Sequence, residues 1–160
     1  RLLCHRMGLA LGVGAHMQEL RRTRSGSYTE DASHTLHDLQ DAAVYARGGD
    51  RTALDAMILP VETAAAGIPK VVVRDTAVDA ICHGAALAAV GVVQADPFGK
   101  GDAVAIFSRR GEFVALGTAL VDVSAFTPGA PGLVVQPRAV MMRPGTYARG
   151  WRTRGERAGR

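Results

Sequence analysis

Residues 1–26, RLLCHRMGLALGVGAHMQELRRTRSG, set the frame in which the rest of the chain is read. Leu2, Leu3, Met7 and Leu9 fit one side of a short helix, and Gly8, Gly12 and Gly14 weaken its continuation, so the helix is expected to stop near Gly12. From Ala15 to Arg24 the residues read as an extended element. A period of two places Leu20 on the same side as His16, Gln18 and Arg22. The far end of this element carries Arg21, Arg22 and Arg24. A Gly-x-Gly at 12–14 that lacks a third glycine and follows a helix rather than a strand does not make a dinucleotide site.

The whole chain of 160 residues is 48% hydrophobic, enough to build a core. No apolar run reaches the roughly 18 residues that span a bilayer, and the first residues lack the apolar core of a signal peptide. A cytoplasmic protein with no membrane partner is expected. Cys4 and Cys82 show no Cys-x-x-Cys spacing, so free buried thiols are expected rather than a disulfide framework or a zinc ribbon. His34 and His37 lack further ligands at finger-like spacing, and no metal is expected. Charge is segregated: residues 1–28 carry a net +4, 29–62 a net −5, 63–151 a net +2 and 152–160 a net +3. Such alternation suits contact with a polyanion at some surfaces and solvent or another partner at others.

The acidic segment opens as a loop over 25–33. Thr35-x-x-Asp38 resembles a capping box for a helix whose stripe is Leu36, Leu39, Ala42 and Ala43 and whose stop is Gly48-Gly49. Asp50 is placed to cap a second helix with Leu54, Met57 and Ile58 inward, halted by Pro60. His37 reads as a structural residue, and 29–68 hold no nucleophile with a base and no phosphate loop.

At Gly67-Ile68-Pro69 the composition changes from alanine-rich to β-branched, and the domain boundary is placed there, giving segments 1–68, 69–151 and a basic tail 152–160. Strands are expected over 70–74, 90–95, 103–108, 112–122 and 133–142, with a helix at 76–83 that buries Val78 and Ile81 and ends at Gly84. The separators, Pro97-Phe-Gly-Lys-Gly, Arg109-Arg110-Gly111 and Pro128-Gly-Ala-Pro-Gly, are rich in turn formers. About five short strands and one early helix point to a small barrel and an α+β chain overall.

The order Gly14-Ala15-His16, Leu20-Arg21-Arg22, Thr35-Leu36-His37-Asp38-Leu39 and His83-Gly84-Ala85 resembles the archaeal dyskerin-like branch of the TruB family of RNA pseudouridine synthases, which works with H/ACA guide RNA. His83-Gly84-Ala85-x-Leu87 followed by Val90-Gly91-Val92 is similar to the PUA domain, a compact RNA-binding barrel. The resemblance runs to Trp151. It implies the end of a pseudouridine synthase catalytic domain over 1–68 and a PUA domain over 69–151. The family's catalytic Asp, in a Gly-Thr-Leu-Asp type motif, has no counterpart here, and the chain reads as a C-terminal part. A self-contained small protein is the other reading.

The family's reaction isomerises uridine to pseudouridine without a cofactor: an Asp attacks a flipped-out uridine, and the base rotates and rejoins through carbon. By the resemblance, Arg1 matches the Arg that pairs with that carboxylate, and Leu20 the apolar residue beside the flipped base. Arg21, Arg22 and Arg24 face phosphates or form structural ion pairs. His83, Gly84, Ala85, Leu87, Gly91 and Val92 hold the 3′ ACA trinucleotide of the guide, although the glycines alone fit plain turn geometry. Arg143 and Arg149 are available to phosphates, with Tyr147 and Trp151 packing the chain end. Gly145-Thr-Tyr-Ala-Arg149 imitates a catalytic motif, yet its place after the last barrel strand gives it no catalytic role. Implied partners are the guide RNA, substrate rRNA or tRNA, and the other H/ACA ribonucleoprotein proteins. The alternative is a PUA-type RNA-binding module without activity.

Overall fold

The computed structural model describes residues 1–150; Trp151 and the basic tail lie outside the described residues. Two compact units are resolved by their internal packing, 1–58 and the segment from Leu59 onward, so that 59–68 belong with the barrel that follows.

The first unit opens with α1 (Leu2–Ala10). Gly12 and Gly14, both at φ +69°, end it, because the backbone needs the left-handed region there. The expected apolar stripe is not what this helix buries. Leu2, Leu3, Met7 and Leu9 are all more than half exposed, and Gly8 is the buried residue. The returning chain explains this: the Val13 and Gly14 N–H groups both donate to the Gly8 carbonyl, and a Cβ on Gly8 would fall 2.2 Å from Ala15 N. The expected strand over 15–24 is also absent. Only β1 (Arg24–Ser25) pairs, antiparallel, with β2 (Tyr28–Thr29), since a polar stretch with no face to bury gains little from a ladder. α2 (Leu36–Arg47) starts at the full capping box, Asp38 N–H on Thr35 Oγ1 at 3.1 Å and Thr35 N–H on Asp38 Oδ2 at 2.9 Å. Those hydrogen bonds from Thr35 hold the Asp38 carboxyl below the usual range. Leu36 and Leu39 of the expected stripe are exposed, and Ala42 alone in α2 is buried. α3 (Thr52–Met57) follows, with Asp50 Oδ1 accepting from Thr52 N–H and with Ile58 exposed rather than inward.

The second unit is a strongly curved six-stranded sheet with one helix. Its elements are β3 (Lys70–Val73), α4 (Asp75–Cys82), β4 (Leu87–Ala88), β5 (Val92–Ala95), β6 (Ala103–Ser108), β7 (Phe113–Ala119) and β8 (Leu133–Val140). The strand order is β4-β8-β7-β6-β3-β5, with β3 parallel to β6 and every other pairing antiparallel. β4 and β5 stand at opposite ends of that order, yet only the single 3-10 turn Ala89–Gly91 separates them in the chain. The sheet must therefore curl until its ends meet, which makes it a nearly closed barrel. β4 was not anticipated, and Val90 lies in the turn rather than in a strand.

The run Ala103-Val-Ala-Ile-Phe-Ser108 is apolar on both sides because both sides of β6 are covered. Val104 and Ile106 enter the main core with Val71, Val73, Val78, Ile81, Val114 and Val135. Ala105 and Phe107 enter a second cluster with Ala65 and Phe113, the two rings stacked at 5.2 Å. Gly117 opposes Pro137 at a bulge between β7 and β8, where the missing ladder donor of the proline is tolerated.

Candidate nucleic-acid interface

α4 ends in a double hydrogen-bonded cap. Gly84, at φ +86°, donates to the Ile81 carbonyl at 2.8 Å, and Ala85 N–H donates to the Ala80 carbonyl at 3.0 Å. This satisfies the last helical carbonyls and turns the chain sharply into β4. His83, Gly84 and Ala85 are left exposed on that turn. His83 Nδ1 lies 2.8 Å from the Asp79 carbonyl, an acceptor only, so Nδ1 carries the proton.

Beside the turn lies a cavity of about 410 Å³ lined by small residues of α4 and of the following segment, among them Ala77, Ala80, Ala85 and Gly91, with Leu87 and Val90. Gly91 is needed there: an added Cβ would sit 3.0 Å from Ala77 Cβ and 3.2 Å from Leu87 Cδ1. A mostly apolar recess of this size, walled by small side chains, suits a flat heteroaromatic ring read at its edges. A second cleft of about 460 Å³ shares Arg74 and Thr76 with the first and adds Asp75, Val92, Val93, Arg109 and Pro128. Arg74 and Arg109 are exposed and have no ion pair among the described residues.

The residues singled out from sequence are distributed unevenly. Ala85, Leu87 and Gly91 line the first cavity and Val92 the second, while Leu87 and Val92 are themselves only 1% exposed. Arg143 is exposed, its carbonyl taking the Thr146 hydroxyl at 2.7 Å, and Arg149 Nε stands 3.6 Å from Asp79 Oδ2. In the first unit Arg1 caps α1 and is exposed, and Leu20 is 73% exposed in the irregular stretch before β1. Arg21 is held by Glu30 through Nε at 2.9 Å and through a terminal amine, whereas Arg22 and Arg24 are exposed. Sequence reasoning passed over Arg74, Thr76 and Arg109. Arg109 sits in the Arg109-Arg110-Gly111 turn, and nothing local ties Arg74 to it.

Among the described residues no group of three or more His, Cys, Asp or Glu side chains forms a metal cluster, and no helix is long and apolar enough to cross a membrane. Of the two free cysteines, Cys82 is buried, where desolvation and then Asp79 push its thiol up, and Cys4 is half-buried.

A family model of the tRNA pseudouridylate synthase B C-terminal domain matches residues 1–66, and one of the PUA domain matches 69–141. A probable tRNA pseudouridine synthase B of Methanothermobacter thermautotrophicus is 49% identical over 95% of this chain and 48% of its own length. Its counterpart in Methanosarcina barkeri is 46% identical over 94% of this chain and 45% of its own length. The chain thus spans about half the length of these curated relatives. In the archaeal box H/ACA Nop10–Cbf5 complex, the matching chain superimposes with a TM-score of 0.83 at 41% identity, covering 94% of this chain and 50% of that one. An H/ACA ribonucleoprotein bound to a substrate RNA gives 0.80 at 41% identity, covering 93% of this chain and 48% of that one. The chain is therefore a pseudouridine synthase B type C-terminal domain followed by a PUA domain, similar along nearly all of its length to the archaeal Cbf5 or dyskerin branch of that family.

Proposed function

We propose that this chain is the guide-gripping half of the catalytic subunit of an RNA-guided pseudouridine synthase acting on uridines in rRNA, and in tRNA as well. The observation that carries the proposal is the continuous match, in one order and at 41% identity, to a Cbf5 chain from an H/ACA complex. No Gly-Thr-Leu-Asp motif occurs in residues 1–160, so the attacking carboxylate comes from a segment other than these. Arg1 is the cation that keeps it ionised, since an opposite charge nearby lowers a carboxylate pKa. Leu20 packs against the extruded uracil, and the exposed Arg22 and Arg24 meet phosphates.

The first unit places no residue in either hydrophobic core cluster, and all its leucines but the half-buried Leu54 are exposed. Such a surface suits a domain completed by further secondary structure. In the second unit the small-residue cavity takes a base of the 3′ ACA, and Arg74 and Arg109 in the adjoining cleft take the neighbouring phosphates. The partner class is that of Nop10 and Gar1, the proteins found with Cbf5 in the solved Nop10–Cbf5 and Cbf5–Nop10–Gar1 complexes.

The test is a chimera in which residues 1–160 replace the matching half of an archaeal relative, assayed with guide and substrate RNA for pseudouridine formation. Activity that depends on the guide's ACA supports the reading. ACA-dependent binding with no turnover would leave only an RNA-binding module, and binding indifferent to an ACA to UGU change would reject the PUA site.

A further inference from the structure

Asp79 is 4% exposed, and a carboxylate so placed needs hydrogen-bonding partners. Both kinds of support come from the chain end that follows the barrel: Gly145 N–H donates a hydrogen bond to Oδ1 at 3.0 Å, and Arg149 Nε makes an ion pair with Oδ2 at 3.6 Å. His83, on the very turn that leads into the cavity, is tied to the same residue through Nδ1–H on the Asp79 carbonyl at 2.8 Å. One buried group thus ties the end of α4 to residues remote from it in sequence.

The same segment is hooked again at Tyr147, whose hydroxyl donates to Glu112 Oε2 while Ser108 Oγ donates to that oxygen at 2.8 Å. Arg110 lies over the Tyr147 ring at 5.6 Å. At Gly150 the segment lies flat on the first turn of α4, where an added Cβ would fall 2.2 Å from the Thr76 carbonyl oxygen and 2.4 Å from Thr76 Cβ. Gly150 itself lines the cavity, together with Ala85 and Gly91.

From this geometry we infer that residues 143–150 form a strap that builds one wall of the base-binding cavity, and that Asp79 is the positioning residue that fixes how wide the cavity stands. The inference rests on the reading of that cavity as the site of the guide's 3′ trinucleotide. It assigns base selectivity to the chain end as well as to the His83-Gly84-Ala85 turn. A wall held at fixed distance excludes bases that a looser recess admits, because selectivity is a difference between two affinities.

The experiment measures binding of the 160-residue chain to a hairpin RNA ending in ACA and to the same RNA ending in UGU, across a salt series. Gly150→Ala, which forces the strap off Thr76 without touching the barrel core, is expected to cut the ACA over UGU preference by about tenfold, the scale of one misread base. Its salt slope should stay that of wild type, since no phosphate contact is removed. Asp79→Ala is expected to do the same, and Asp79→Asn, which keeps an acceptor for Gly145 N–H, to recover most of the preference. A wild-type chain with no preference overturns the cavity reading and the strap with it. A selective wild type whose Gly150→Ala variant is equally selective overturns the strap alone.

Discussion

Gly117 of β7 and Val135 of β8 approach so closely that a methyl group on the glycine would stand 2.5 Å from Val135 Cγ1 and 2.8 Å from the Gln136 carbonyl. The fully buried Val135 side chain and the Gln136 backbone both block the space. Gly117→Ala should therefore destabilise the barrel by about 1–3 kcal/mol, the usual cost of overpacking. Thermal unfolding followed by near-ultraviolet circular dichroism checks this, and an unchanged melting temperature would show that β8 slides without cost.

Ile106 is fully buried in the main core, and Leu36 in α2 is 83% exposed. Ile106→Ala should cost about 2–5 kcal/mol through lost burial and the cavity left behind. Leu36→Ala should stay within about 0.5 kcal/mol in this chain. Denaturant titration of the two variants separates these outcomes.

The Tyr147 and Glu112 hydrogen bond sets a pH window for the strap. The bond to Glu112 raises the Tyr147 pKa, so its contribution is complete below the ordinary tyrosine value of 10.0 and is lost as pH rises through the higher folded value. The bonds from Tyr147 and then Ser108 lower the Glu112 pKa, so that contribution is present above 4.5 and is lost as pH falls through the lower folded value. Phenolate absorbance of the Tyr28→Phe, Tyr45→Phe double variant should titrate above 10.0. Titration at the free-tyrosine position would mean that the hook is open in solution.

Arg109→Ala removes one cation from the second cleft while leaving the small-residue recess intact. Binding of an ACA-ended hairpin should weaken, and the slope of log affinity against log salt should fall by about one. The ACA over UGU preference should not move.

Ala85→Phe makes the converse change. A ring placed at Ala85 fills the cavity it lines, so the preference for ACA should be lost while the salt slope stays that of wild type.

The barrel was legible because its strands are bounded by turn formers and its one helix ends at Gly84, a residue the cap geometry requires at φ +86°. β4 escaped because two residues, Leu87–Ala88, inside the run Ala85-Ala-Leu-Ala-Ala-Val90 carry no alternation to read. α1 misled for a physical reason: its leucines look like a core stripe, but no core lies within the first unit for them to enter. Gly8, read as a helix breaker, is instead where the chain folds back on itself.

The site divides in the same way. The His83-Gly84-Ala85 turn is local and could be read from neighbours in sequence. The contacts of Asp79 with Gly145 and Arg149 join positions that only the closed fold brings together, so Asp79 looked like any acidic residue on a helix.

The meeting of the sheet's two ends through Ala89–Gly91 has a consequence for solubility. Its outermost strands are β4, two residues long, and β5, four residues long. Neither offers a long row of unpaired amides and carbonyls, so another copy of the chain finds no template on this barrel for strand addition. The topology in this way guards the barrel against fibre growth.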